Sequence, residues 1–190
     1  MLGAWRLWLG TAVLAVCLIG VPAGASPAGP SPAPAPAPAD QQVKAAYLTK
    51  FAPFVVWPPG VFGGPTAPLV LCVQGDDPFG AALDRLADGE RVGDRPLVVR
   101  RLARIDADSG CHIAYLAGSS AQSADAALKA LDGRPVLTVT DADGAGSGRG
   151  IVHLVLTDGR VRFAIDAGKA AQCGLTISSK LLALASEVKR

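Results

Sequence analysis

The sequence predicts an α/β domain: a mainly parallel sheet with flanking helices, ending in an antiparallel hairpin and a C-terminal helix. Three patterns point to it. Apolar runs at Leu69–Val73, Cys111–Ala117 and Val136–Val139 are too short for buried helices and read as strands covered on both faces. Segments with apolar positions at helical spacing lie among them, the alternation expected of a parallel sheet with right-handed crossovers. Near the C-terminus two further strand-like runs flank Thr157, Asp158 and Gly159, a turn with Asp and Gly where a hairpin wants them.

Taken in order, the segment from Asp40 is an amphipathic helix, with Asp40 as its cap and Val43, Tyr47, Phe51 and Phe54 or Val55 recurring along one side. Lys44 and Lys50 belong to its polar side. Pro53 lacks a backbone donor, so a kink or an early stop is expected there, and Pro58-Pro59 ends the segment. Pro68–Gly75 is the central strand, followed by an acidic turn and a helix over Ala81–Ala87 with Leu83 and Leu86 on one stripe. Pro96–Leu102 is a second strand, placed near an edge by Arg100 and Arg101. Cys111–Ala117 is the third, Ser123–Leu131 a short helix, and Pro135–Asp141 the fourth strand. Ile151–Leu156 and Arg160–Asp166 form the hairpin, and Ala167–Cys173 is a helical turn closed by Gly174. Ser178 or Ser179 caps a last helix with Leu181, Leu182, Leu184, Ala185 and Val188 inward, and with Lys189 and Arg190 at its negative end.

The two ends of the 190-residue chain differ from its middle. Arg6, the apolar run Leu7–Val21 and the small residues before Ala25 have the order of a secretory signal peptide, giving 1–25 as a leader cleaved after Ala25. A retained membrane anchor is the alternative, but about 15 apolar residues fall short of the roughly 20 that span a bilayer. Positions 26–39 are almost wholly Pro, Ala, Gly and Ser and read as an extended linker. Residues 40–190 then form a single domain of about 150 residues, large enough for a real core. Its charge is close to balanced and no basic cluster is interleaved with aromatics, which argues against a nucleic-acid partner.

Export removes Cys17 and leaves Cys72, Cys111 and Cys173 in a compartment that permits disulfides. A Cys72–Cys111 bond would join two strands and close a loop of roughly 40 residues, worth about 4 kcal/mol in the chain-entropy description. Three buried free thiols are the alternative. Cys173, the odd one out, packs as a small hydrophobe or serves as a thiol-redox element.

Residues with catalytic chemistry are few. Asp76, Asp77, Asp141 and Asp143 fall at strand ends, where α/β sheets bind ligands, and read either as solvated turn carboxylates or as a small-molecule site. A phosphoacceptor reading fails because the third strand ends in Ala117-Gly118. His112 and His153 have no metal-ligand spacing, so neither a metal nor a cofactor is expected. The glycine-rich run Gly144–Gly150 leads into a strand and reads as a flexible loop rather than a phosphate cradle. Ser178, Ser179 and Lys180 suit a helix cap better than a nucleophilic pair. Phe51, Phe54 and Trp57 gather in a chain with few other aromatics, either as an edge of the core or as an exposed patch for a partner.

Several segments together resemble the YfiR-like family of bacterial periplasmic regulators: Val43–Ala52 with Trp57-Pro58, Leu71–Val73 with Pro78–Gly80, Cys111–Ile113, Leu137–Asp141, Val161–Phe163 and Gly174–Ala185. The resemblance implies a non-catalytic repressor that contacts the periplasmic part of an inner-membrane diguanylate cyclase, with an outer-membrane lipoprotein relieving the block. It also implies that Cys72 and Cys111 match a cysteine pair needed for integrity. The partner expected for this chain is an envelope protein, a membrane diguanylate cyclase or a sensor kinase. The aromatic segment Phe51, Phe54 and Trp57 is the candidate contact surface. The residues do not specify an oligomeric state.

Overall fold

The computed structural model describes residues 38–142, 144 and 146–190. The leader expected at 1–25, nearly all of the linker expected at 26–39, and Asp143 lie outside the described residues. In chain order the elements are α1 (Ala39–Phe51), β1 (Val55–Val56), β2 (Leu69–Gly75), α2 (Ala81–Ala87), β3 (Arg91–Val92), β4 (Arg95–Leu102), β5 (Ile113–Gly118), α3 (Ala124–Ala130), β6 (Leu137–Asp141), β7 (Val152–Thr157), β8 (Arg160–Asp166), α4 (Ala167–Gln172), β9 (Thr176–Ile177), α5 (Ser179–Leu184) and β10 (Glu187–Lys189).

Eight strands form one sheet in the order β10-β8-β7-β6-β5-β2-β4-β3. The ladders from β4 through β2, β5 and β6 to β7 are parallel, and β8 turns back antiparallel to β7. The chain leaves β2 for β4 on one side and returns to β5 on the other, so the strand order reverses at the β2/β5 junction. In open α/β sheets that reversal opens a crevice at the strands' carboxyl ends. Here the crevice begins where β2 and β5 pinch together. A Cβ on Gly75 (φ +86°) would lie 2.2 Å from the Gly118 carbonyl oxygen, so this crossing needs glycine.

The run Leu69–Val73 is buried on both faces, as its unbroken apolar character predicts. Leu69, Leu71 and Val73 join Leu48, Phe51 and Leu83 in a core beneath α1 and α2. Cys72 points the other way, into a second core with Ala114, Leu116, Ile105 and the α3 residue Ala127. The β7–β8 hairpin is closed by Asp158 (φ 51°) and Gly159 (φ 70°), the double left-handed pair of a type I′ turn. Ser123, Asp166 and Ser178 cap α3, α4 and α5 by accepting a backbone N–H three residues on. After α4, the Gly174 and Leu175 amides return to the Ala171 and Ala170 carbonyls, closing the helix as the sequence predicts.

Three expectations are corrected. Asp40 does not cap α1, because the helix starts one residue earlier and Asp40 sits inside its first turn. Lys44 is wholly buried rather than on a polar side, whereas Val43 is 44% exposed, so α1 is rotated relative to its expected stripe. The last helix stops at Leu184, and Val188 lies in an edge strand instead. Ser186 donates both its amide and its hydroxyl to the Phe163 carbonyl, and β10 then pairs in parallel with Ala164–Asp166. The open edge of β8 supplies backbone partners that a longer helix could not use. Lys189 accordingly meets Asp166 at 3.4 Å and not a helix terminus.

The stop expected at Pro53 occurs. Helix α1 ends at Phe51 and Ala52–Phe54 tighten into a 3₁₀ turn, with Pro53 in its first positions, where no donor is required. No helix among the described residues is long and apolar enough to cross a membrane.

Candidate functional site

The sheet has two rims. At the carboxyl-end rim the three described aspartates, Asp76, Asp77 and Asp141, separate. Asp77 serves the fold: its carboxylate accepts from the Phe79 and Gly80 amides at 2.7 and 3.2 Å and from Arg101 Nε at 2.7 Å. Arg101 also holds Asp84 through two bonds, and chiefly through that pairing its pKa is raised. Asp141 is not a solvated turn carboxylate. It is buried 2.7 Å from Lys44 Nζ, whose side chain is 0% exposed, and the Tyr115 hydroxyl donates to it at 3.3 Å. Asp40 stands 3.8 Å from the same ammonium. A buried pair of this kind ties α1 to the end of β6, and removing one partner strands a charge.

Above this pair, at the β2/β5 junction, lies a crevice of about 470 Å³ lined by Gln41, Asp76, Tyr115, Ser119, Ser120 and Ser123. The Gln41 side-chain oxygen is buried there and has no hydrogen-bond partner among the described residues. Of the foreseen strand-end aspartates among the described residues, Asp76 and Asp141 line this crevice and Asp77 does not.

The later part of the glycine-rich stretch, at Ser147, Gly148 and Gly150, is hydrogen-bonded to its surroundings. Asp125 on α3 accepts from the Gly148 amide at 2.7 Å and from Ser147, and these bonds, Gly148 first, hold its carboxyl below the usual carboxylate range. Thr140 and Thr138 hydroxyls accept from the Gly150 and Ile151 amides. The Gly144, Ser147, Gly148 and Gly150 amides, which might have faced a phosphate, are therefore used within the chain. Ser178 is a cap, its hydroxyl accepting from the Leu181 amide at 3.3 Å. Cys173 is a buried free thiol, and burial pushes its pKa up, the reverse of what a reactive thiol needs.

The opposite rim, at the amino ends of the strands, holds the disulfide. Cys72 and Cys111 are bonded, with their Cα atoms 5.8 Å apart. The next residue, His112, stacks on Phe62 with ring centroids 4.4 Å apart, and Arg95 covers the same phenyl ring with its guanidinium carbon 3.9 Å from the centroid. Phe62 in turn meets Trp57 edge-on at 5.9 Å. His153 is remote from this group, its Nδ1 2.9 Å from the Thr140 hydroxyl, so the two histidines share no site.

Of the three aromatics expected at a contact surface, Phe51 cannot serve. It is 1% exposed and packed against Tyr47 and Phe163, because the end of α1 is pressed onto the sheet. Phe54 and Trp57 are half-buried, and between them Val56 is 65% exposed on β1, which pairs with β9 in a separate two-stranded ladder. Sequence reasoning missed Lys44, Tyr115 and Phe62. For Lys44 a signal existed: it shares the spacing of Leu48 and Phe51, the positions that α1 buries.

A search among curated proteins returns no match. A profile of the family described as YfiR/HmsC-like matches residues 41–186, from the first turn of α1 to the start of β10. With that match covering almost the whole described domain, and with the cysteine pair bonded inside it, the chain belongs to the YfiR/HmsC-like family.

Proposed function

We propose that this chain is an exported, non-catalytic regulator that works in the periplasm. In this reading it binds the periplasmic part of an inner-membrane signalling protein, a diguanylate cyclase or a sensor kinase, and holds it inactive. Family membership supports the regulatory class, and the disulfide suits an oxidising compartment. The observation that carries the contact surface is Val56, 65% exposed between the half-buried Phe54 and Trp57 on a ladder outside the main sheet. Exposed apolar side chains with aromatic neighbours favour protein contacts.

The test is pull-down of the detergent-solubilised membrane cyclase by the wild type and by Val56→Asp. Loss of capture at an unchanged melting temperature supports the reading. Capture that survives Val56→Asp and Trp57→Ala places the contact elsewhere, and a cyclase whose output is the same with and without the protein rejects repression.

The unpartnered Gln41 oxygen favours a second reading, in which the crevice beside Asp76 and the serines takes a small polar molecule that donates hydrogen bonds. A thermal-shift screen against envelope metabolites checks it, because a ligand at one hundred times its Kd stabilises the fold by about 2.7 kcal/mol. No shift with any donor-bearing metabolite, or a shift unchanged by Gln41→Leu, removes it.

A further inference from the structure

The two faces of the β7–β8 hairpin differ. On one, Phe163 and Ile165 are buried in the core with the α1 residues Leu48 and Phe51. On the other, α3 packs over β2 and β5, and the residues farther along the sheet stand side by side in register. His153 on β7 neighbours Ala164 on β8, and Ala164 neighbours Glu187 on β10. Over the small Ala164 lies a hollow of about 350 Å³, walled by Arg149, His153, Asp166, Lys169, Glu187 and Lys189. It shares no lining residue with the β2/β5 crevice, and its volume falls in the range of about 300–1,000 Å³ that suits a small molecule.

The wall of this hollow holds unused donors. The Thr140 hydroxyl accepts the Gly150 amide at 2.8 Å and meets His153 Nδ1 at 2.9 Å. Thr140 is buried, and Nδ1 is the acceptor its hydroxyl proton reaches among the described residues, so the neutral ring carries its own proton on Nε2. Nε2 makes no hydrogen bond among the described residues. Burial first, and the Arg149 charge second, lower the pKa of His153 below its ordinary 6.5, against the raising effect of Asp141. The ring is therefore an uncharged donor at neutral pH. Lys169 Nζ donates to the Arg149 carbonyl at 2.8 Å and meets no carboxylate among the described residues, which leaves two of its three N–H groups free. Arg149 faces Glu187 at 3.8 Å, and with both side chains more than half exposed that pair is weak. Lys189 is already engaged by Asp166 at 3.4 Å.

We propose that this hollow is an oxyanion site, which takes the phosphoryl or carboxylate group of a small molecule between His153 Nε2–H, the Lys169 ammonium and the Arg149 guanidinium. The wall carries three cations, Arg149, Lys169 and Lys189, against the two carboxylates of Asp166 and Glu187, so it attracts an anion. Glu187 keeps a place that an incoming oxyanion takes over, since charge-assisted bonds to a guanidinium are stronger at closer range. The open floor over Ala164 accommodates the rest of the molecule.

The test is carbon-13 observation of the two imidazoles in the full chain, titrated with inorganic phosphate or with citrate at constant pH and ionic strength. The His153 signals shift saturably while those of His112 stay in place. The His153 midpoint also rises, because a bound anion favours the imidazolium. Lys169→Gln weakens binding about tenfold or more, and Glu187→Gln tightens it. Ala164→Leu, which fills the floor, abolishes binding. A response to either anion supports the site, and the tighter of the two names the ligand's group. No saturable His153 shift with either anion, equal movement of both histidines, or an affinity unchanged in Lys169→Gln overturns it. Should Ala164→Leu not fold, the Lys169 and Glu187 variants decide. The titration contains no membrane protein, so its failure is distinct from failure of the pull-down.

Discussion

The two rims of the sheet are fastened by different chemistry. At the carboxyl ends a buried ammonium and carboxylate, Lys44 and Asp141 at 2.7 Å, pin helix α1 to β6 beneath a polar crevice. At the amino ends a disulfide ties β2 to the approach of β5, and a neutral imidazole and a guanidinium hold a loop of aromatics beside it. The comparison teaches that a charge pair in a dry site fails when either partner is removed, whereas a covalent bridge holds whatever the charge of its neighbours. Both rims therefore contribute to stability, one through a buried charge pair and one through a covalent bond.

The strongest way to break this contrast is Lys44→Met, which takes the ammonium away from the buried Asp141 carboxylate. It should cost roughly 3–5 kcal/mol in urea unfolding, and Lys44→Met with Asp141→Leu should recover most of the loss. An unchanged midpoint for the single variant would show that the pair contributes nothing. Removing the disulfide by Cys72→Ala with Cys111→Ala should cost about 4 kcal/mol, read as a lower melting temperature that reducing agent no longer shifts. A smaller effect is expected from acid. His112 and His153 both have pKa values lowered by burial below 6.5, so the unfolded chain binds their protons first. Their contribution to stability is complete above 6.5 and is lost as pH falls through the lowered values, and His112→Asn should remove its share of that slope. Least of all, Val56→Asp should move stability by no more than about 0.5 kcal/mol, since the side chain stands in solvent. A larger loss would mean that β1 is structural and not a contact surface.

Much of the fold was legible because its determinants are local. The apolar runs of β2, β5 and β6, the Asp158-Gly159 turn and the serine that starts α5 act over a few residues of chain. The stripe of α1 was misread by one position because a lysine stands where the buried face runs, and hydropathy assigns every lysine to solvent. Of the three aromatics read either as an edge of the core or as an exposed patch, Phe54 and Trp57 are half-buried and Phe51 belongs to the core, since the chain turns at Ala52 and separates them. The strand β10 was read as helix, because Leu181 to Val188 fits a helical stripe and only the open edge of β8 argues otherwise.

By itself the sequence determined the class of fold, the hairpin and the serine cap of α5, all of which depend on short-range pattern, and the family, which rests on segments in order along the whole domain. Only the tertiary structure decided that Asp141 would meet Lys44 and that His112 would close on Val70, 42 positions away, and hold Phe62 against Arg95. Those partners come from different strands and loops, and no period in the chain reports which polar groups will be shut in together once water is expelled. That enclosure is what turns an ordinary lysine into a buried pin.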